Sequence, residues 1–128
     1  MKKLLLDTYA LIWFLRGDSE LSPAAGKSMR DSTNVKFVSI ASLWKIAIKV
    51  NLGKIQFDFA LKDFAELIAA NDFDILPIAF EHILMVGTLP PHHRDPFDRM
   101  LIAQASVEGL TIVTRDPHFP DYGVPVLW

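Results

Sequence analysis

The sequence predicts an α/β fold in which a parallel sheet of about five strands carries helices on both faces. Three observations lead there: short strand-like segments at 4–6, 35–38 and 111–114, the first of them continuously apolar, stretches of helical periodicity between them, and capping residues where one pattern gives way to the next. Strands separated by helices pair in parallel, because a chain returning to the same edge must cross one face of the sheet. The 128 residues contain no Gly/Ser-rich linker or break in composition, so residues 1–128 are read as a single domain.

Leu4-Leu5-Leu6, ending at Asp7, has the pattern of a strand buried on both sides, and a helix follows over Thr8 to Leu15. Ser22-Pro23 reads as an N-cap with proline at the first helical position, opening a helix to about Asp31. Val35 to Val38 is the second strand. Ser39 caps a third helix through Leu52, with Gly53 as its stop; on it Ser42, Lys45 and Lys49 form a polar stripe opposite an apolar one. An amphipathic helix is expected over Phe59 to Ala70, with apolar residues for the core or for a partner surface. Asp74 to Ile78 follows as a strand whose Pro77 suits a sheet edge. Phe80 to Leu89 is a further helix. Pro96 to Glu108 makes another that Gly109 ends, Thr111 to Thr114 a buried strand, and Val124 to Trp128 a last short one.

Composition bounds the function. Apolar residues are 51% of the chain, and the mean hydropathy of +0.25 is high enough to suggest that a partner or second copy covers some apolar surface. A net charge of −2 argues against general attraction to nucleic acid, so any such binding must be local. With no cysteine there are no disulfides, zinc thiolates or thiol nucleophiles, which fits a cytoplasmic location. The opening MKKLLLDTYALIWFLRG superficially resembles a secretory signal. Asp7 interrupts its apolar run, however, and 4–15 is too short to span a bilayer, so no membrane association is expected.

In open parallel sheets ligands bind beyond the carboxyl ends of the strands. Asp7 and Asp116 each follow a strand there, with Thr8 and Thr114 close by, and Asp95 and Asp98 open the helix that Pro96 starts. Asp98, just inside that helix, is the better ligand candidate; Asp95 serves equally well as its N-cap. A lone aspartate at such a place is ordinarily structural, stabilising a helix through its dipole. Several that converge form a hard oxygen site suited to Mg²⁺ or Mn²⁺, which can activate water, polarise a phosphoryl oxygen and stabilise a leaving alkoxide. His82, His92, His93 and His118 have no zinc-ligand spacing. The His92-His93-Arg94 run, Arg99 and Arg115 are candidates for phosphate contact, with solvated loop charge the equal alternative, and Arg99 and Arg115, which neighbour the proposed ligands, serve alternatively as bridges between carboxylates. Trp13 and Trp44 fall in helical apolar stripes, where core packing is the expected role.

The strings LLLDT at 4–8, SIASLWKIAIK at 39–49, RDPFDRMLIAQA at 94–105 and TIVTRD at 111–116, in this order, resemble the PIN domains, and within them the VapC-type toxin ribonucleases of bacterial toxin-antitoxin pairs. The C-terminal GVPVLW is similar as well. The resemblance implies a three-layer α/β/α sandwich, Mg²⁺- or Mn²⁺-dependent cleavage of RNA, a VapB-type antitoxin as partner, and a homodimer or toxin-antitoxin hetero-oligomer. By position it assigns metal binding and catalysis to Asp7, Asp98 and Asp116, with Asp95 a further acid beside them. It also exposes a departure, because similar sequences carry glutamate where this chain has Lys45.

Two readings of Lys45 follow. Its stem packs on the sheet with the ammonium in solvent, or it points into the site and pairs with Asp7 or Asp98. At roughly 4 Å and an effective dielectric of about 20 such a pair attracts by about 4 kcal/mol before desolvation. The second reading implies an impaired nuclease, or a PIN-fold binding module that no longer cuts. Other strand-end aspartate enzymes fit less well: an aspartyl-nucleophile phosphatase wants a second acid where this chain has Tyr9, and a receiver domain wants acids where it has leucines before Asp7.

Overall fold

Strand β1 (Lys3–Leu6) lies at the centre of a five-stranded, wholly parallel sheet. The computed structural model describes all residues from Met1 to Trp128. The sheet order is β3-β2-β1-β4-β5, with β2 at Val35–Ser39, β3 at Asp74–Leu76, β4 at Thr111–Val113 and β5 at Val126–Leu127. The chain therefore steps outward from β1 to β2 and β3, then returns to the other side of β1 for β4 and β5. Loops leaving the carboxyl ends of β1 and β4 diverge, and the crevice between them is the topological switch point where open α/β sheets bind ligands.

The helices are α1 (Thr8–Arg16), α2 (Pro23–Arg30), α3 (Ile40–Asn51), α4 (Phe64–Ala70), α5 (Phe80–Val86) and α6 (Pro96–Glu108). Leu4, Leu6, Val38 and Val113 face the layer built from the first four, where Leu11, Met29, Ile46, Phe64 and Ile68 complete one core. Leu5 and Ile112 point the other way, onto Leu101, Ile102 and Ala105 of α6. These two cores on one central sheet make the three-layer sandwich. All three leucines of β1 are fully buried, which is why that strand reads as a continuous apolar run.

Local chemistry places the boundaries. Ser22 and Ser39 accept from the Ala25 and Ala41 amides as N-caps, and Pro96 occupies the first turn of α6. Gly109 ends α6 with φ +68, a conformation that costs other residues about 1 kcal/mol or more. The helix expected from Phe59 begins only as a 3-10 turn at Leu61–Asp63 before α4. Phe57, Phe59 and Phe64 cluster there with ring centroids 4.9 to 5.3 Å apart, which commits the segment's aromatic residues to packing. A second 3-10 turn, Phe119–Tyr122, has no forerunner in the apolar pattern.

Helix α3 keeps Ala41 and Ile46 in the core but is rotated from the expected orientation. Ser42 and Lys45 are buried, whereas Trp44, expected in the core, is 62% exposed with Ile40, Ile48 and Leu52 along the same outward stripe. The cause is tertiary: Ser42 accepts a hydrogen bond from the Thr8 hydroxyl at 3.0 Å, and Lys45 reaches an acid on α6. Polar partners thus draw the polar stripe inward. No helix is long and apolar enough to cross a membrane.

Candidate metal centre

Asp7, Asp98 and Asp116 line one open cleft of about 510 Å³ at the carboxyl edge of the sheet. Each comes from a different element. Asp7 leaves β1 and caps α1, its Oδ1 accepting from the Ala10 amide at 2.6 Å. A residue that must be extended to finish a strand has the backbone an N-cap needs, so one aspartate ends β1, caps α1 and lines the cleft. Asp116 follows β4, where its amide donates to the Thr114 hydroxyl at 3.0 Å and its Oδ1 accepts from the His118 amide. Asp98 stands at the third residue of α6, so the helix dipole favours its negative charge.

Burial dominates the electrostatics. It pushes the Asp98 carboxyl up to about 6, with Lys45 and His93 opposing and Asp95 and Asp7 adding to the rise. Asp7 is raised too, first by burial and then by Asp116, against hydrogen bonds from Thr114 and Ala10. A cleft that holds neighbouring carboxylates at such cost favours a cation.

Lys45 enters the site, but with a partner other than those expected. Its Nζ lies 2.9 Å from Asp95 Oδ2, and its side chain is only 11% exposed. Burial works against its charge, yet Asp95 and Asp98 prevail and raise its pKa. Burial likewise pushes Asp95 up, but the Lys45 ammonium and the Asp98 and Phe97 amides hold it below the ordinary carboxylate range. Asp95 is at the same time the N-cap of α6, accepting from Phe97 at 2.8 Å and Asp98 at 3.1 Å. With one oxygen on amides and the other on an ammonium, it has little capacity left for a metal ion.

His93, which the sequence offered only as one of the His92-His93-Arg94 run for phosphate contact, takes a different role. Its Nδ1 accepts from the Asp95 amide at 3.1 Å, which leaves Nε2 as the donor of the neutral ring. Nε2 sits 3.2 Å from Asp98 Oδ2 and 3.0 Å from Asp116 Oδ2, so the ring bridges the two carboxylates. One ligand atom from each of His93, Asp98 and Asp116 lies within 4.8 Å of the others, a spacing suited to one ion. The only sequence signal of that role was its place two residues before an N-cap aspartate.

The two arginine candidates part company, Arg99 being committed outside the cleft and Arg115 standing on its rim. Arg99 donates to the carbonyls of Pro90 at 2.9 Å, Leu89 at 3.1 Å, His93 at 3.3 Å and Val86 at 3.4 Å. It clamps the α5–α6 connection and is not free for phosphate. Arg115 pairs with Glu20 at 2.6 Å and lies over the Trp13 ring, 4.4 Å from its centroid, on the rim of the cleft. Trp13, expected in the core, is half-buried and forms part of the cleft wall.

Against known proteins, a family model described as PIN domain matches residues 4–125. No curated protein sequence matches significantly. Among solved structures, the chain is similar to one in VapBC2 from Rickettsia felis bound to a promoter DNA fragment, with TM-score 0.73, 12% identity and coverage of 98% of this chain and 97% of that one. It is similar to a chain of FitAcB from Neisseria gonorrhoeae, with TM-score 0.66, 19% identity and 98% and 96% coverage. A toxin-antitoxin complex from Klebsiella pneumoniae gives TM-score 0.59 at 18% identity, again over 98% and 96%. At these identities the likeness speaks for the fold, and the family model speaks for descent. The chain belongs to the PIN-domain family.

Proposed function

We propose that this chain is the toxin of a VapC-type toxin-antitoxin pair, a divalent-metal-dependent endoribonuclease whose activity is impaired by Lys45. The convergence of Asp7, Asp98 and Asp116 at the switch point of the sheet carries the reading, since the cap and turn roles they fill separately do not require three carboxylates to line one cleft. The donor set fits a hard divalent cation, Mg²⁺ or Mn²⁺, held by Asp98 and Asp116 with Asp7 beside them. Such an ion supplies Lewis-acid activation of water and phosphoryl oxygen. The chain's own residues do the positioning. Asp7 and Asp98 are fixed by the starts of α1 and α6, and Thr114 orients the turn that carries Asp116. The Nε2–H of His93 holds the Asp98 and Asp116 carboxylates at a common separation.

Lys45 places a positive charge among these groups, opposing a divalent ion by repulsion and occupying the one further acid, Asp95. The partner supported by the likeness to toxin-antitoxin complexes is a VapB-type antitoxin, in a hetero-oligomer or with a toxin homodimer. The exposed apolar stripe of α3 and the exposed Phe80, Ile83 and Leu84 of α5 offer surface for such assembly. The test compares Mg²⁺- and Mn²⁺-dependent cleavage of single-stranded RNA by this chain and by Lys45→Glu. Weak or absent cleavage restored by the substitution is expected; equal, robust cleavage by both refutes the impairment.

A second reading is favoured by the Lys45–Asp95 pair itself: a PIN fold that engages antitoxin or RNA without cutting. Titration with Mn²⁺ separates the two, because a binding module shows no site at millimolar ion.

A further inference from the structure

The acidic wall is only half of the cleft. Tyr9, Trp13 and Arg115 line the same cleft, and we propose that these three form a seat for an unpaired nucleobase beside the acidic cluster. The inference rests on the ribonuclease reading and assigns the part of the substrate that the acids do not touch.

The arrangement is built from both sides. Tyr9 and Trp13 lie one turn apart on α1, with ring centroids 5.8 Å apart, and Tyr9 is 40% exposed. Trp13 is braced on its far edge by Trp128 at 5.8 Å. The Arg115 guanidinium rests over Trp13 and is steered there by Glu20, while half of its side chain remains open. An exposed ion pair of this kind contributes little to stability, so the fold gains little by holding a guanidinium over an aromatic ring at the mouth of a cleft. Guanidinium planes and aromatic faces are the surfaces on which unstacked bases bind, whatever their sequence.

Charge placement agrees. Lys45 and Lys49 approach the Tyr9 ring from α3, with Nζ at 5.5 and 5.6 Å from its centroid. Of the cations on this rim, Lys45 is paired with Asp95 and Arg115 with Glu20, which leaves the Lys49 ammonium beside Tyr9 without a carboxylate partner and open to a phosphate. A phosphodiester strand entering here meets that ammonium first, puts a base on the aromatic rim, and brings the adjoining phosphate toward Asp7, Asp98 and Asp116. Duplex bases, stacked on their own neighbours, have no face to offer. The seat therefore selects single strands.

The experiment measures binding without cleavage, in EDTA and again with Ca²⁺, of a fluorescent six-nucleotide RNA, the same RNA with one abasic position at each site in turn, and a matched duplex. Wild type is expected to prefer the single strand and to lose about tenfold at one abasic position, the scale of one base stacked on an aromatic residue. Tyr9→Ala and Arg115→Met are expected to lose a similar factor on the intact RNA and to be indifferent to that abasic position. Tyr9→Phe, which keeps the ring, should bind as wild type does. The proposal is overturned if wild type binds the single strand and both variants match it, or if the abasic penalty is equal in all proteins. Thermal unfolding of each variant shows whether a loss is merely a loss of folding. Wild type that binds Mn²⁺ yet no RNA at all refutes the ribonuclease reading itself, and the nucleobase seat with it.

Discussion

Replacing Asp98 with asparagine should stabilise the metal-free protein at neutral pH. In the folded state the Asp98 carboxyl titrates at about 6 against an ordinary value of 3.8. At about 1.4 kcal/mol per pH unit that difference sets a ceiling of about 3 kcal/mol on the cost of ionising it in place. The sign follows from proton counting. Below pH 4 the group is protonated in both folded and unfolded chains and contributes nothing. Between about 4 and 6 the folded chain keeps a proton that the unfolded chain has lost, so stability falls as pH rises, and above 6 the whole penalty stands. Asparagine keeps the shape and cannot ionise. Asp95, whose pKa is lowered, loses its contribution only as pH falls below about 3.8, outside this window. Urea unfolding of wild type and Asp98→Asn in EDTA at pH 4.5, 6 and 8 should show a gap that opens with pH to about 2 kcal/mol, allowing for the 15% of the side chain that meets solvent. Adding Mn²⁺ at pH 8 should close the gap from the wild-type side alone. A gap independent of pH, or a variant less stable than wild type at pH 8, refutes the reasoning that burial governs this carboxyl.

Three other substitutions test the surrounding structure. Arg99→Lys removes the planar fork that reaches four carbonyls, and should cost about 2 kcal/mol while speeding amide exchange over 87–94; unchanged exchange there would show that the clamp is not what orders the loop. Lys36→Met should be neutral or stabilising by about 1 kcal/mol in denaturant unfolding, because this buried lysine has a 3.9 Å pair with an exposed Asp72 and a 5.7 Å approach to the Phe73 ring to offset its desolvation, and a loss above about 2 kcal/mol contradicts this. Gly109→Ala should lower stability by about 1 kcal/mol through backbone strain alone, since nothing lies within 4 Å of the added methyl, and an unchanged Tm overturns it.

What the chain discloses before folding is what local rules govern. Both ends of α6 fall where Pro96 and Gly109 put them, and β1 and β4 are legible because a strand covered on both faces must be apolar throughout. Asp7, Asp98 and Asp116 are found for the same reason: a strand end and a first helical turn are positions in the sequence, and the sheet brings such positions to one edge. Residues whose roles depend on distant partners are not legible. Trp44 belongs by periodicity in the core, but Ser42 and Lys45 of the same helix find Thr8 and Asp95, and the helix turns Trp44 out against Phe97. Lys36 sits mid-strand with the signature of a solvent-facing residue, yet it is covered by the helical layer. His93 has no motif, and its bridging position exists only once α6 and the turn after β4 are in place.

The same dependence on partners explains how a lysine is tolerated in an acidic cleft. A cation introduced opposite Asp98 alone would relieve that carboxyl, and a raised Asp98 would not be expected. Instead Asp95, already fixed by two amides of α6, takes the ammonium at 2.9 Å and is held ionised by it. Asp98 then stands next to a neutralised pair, not a free cation, and burial still lifts it to about 6. The cleft thus divides in two: Lys45 and Asp95 satisfy each other, whereas Asp98 and Asp116 have the His93 ring between them. That second half retains an unmet demand for positive charge, so the lysine weakens the case for a full set of metal ligands without removing the case for a single ion.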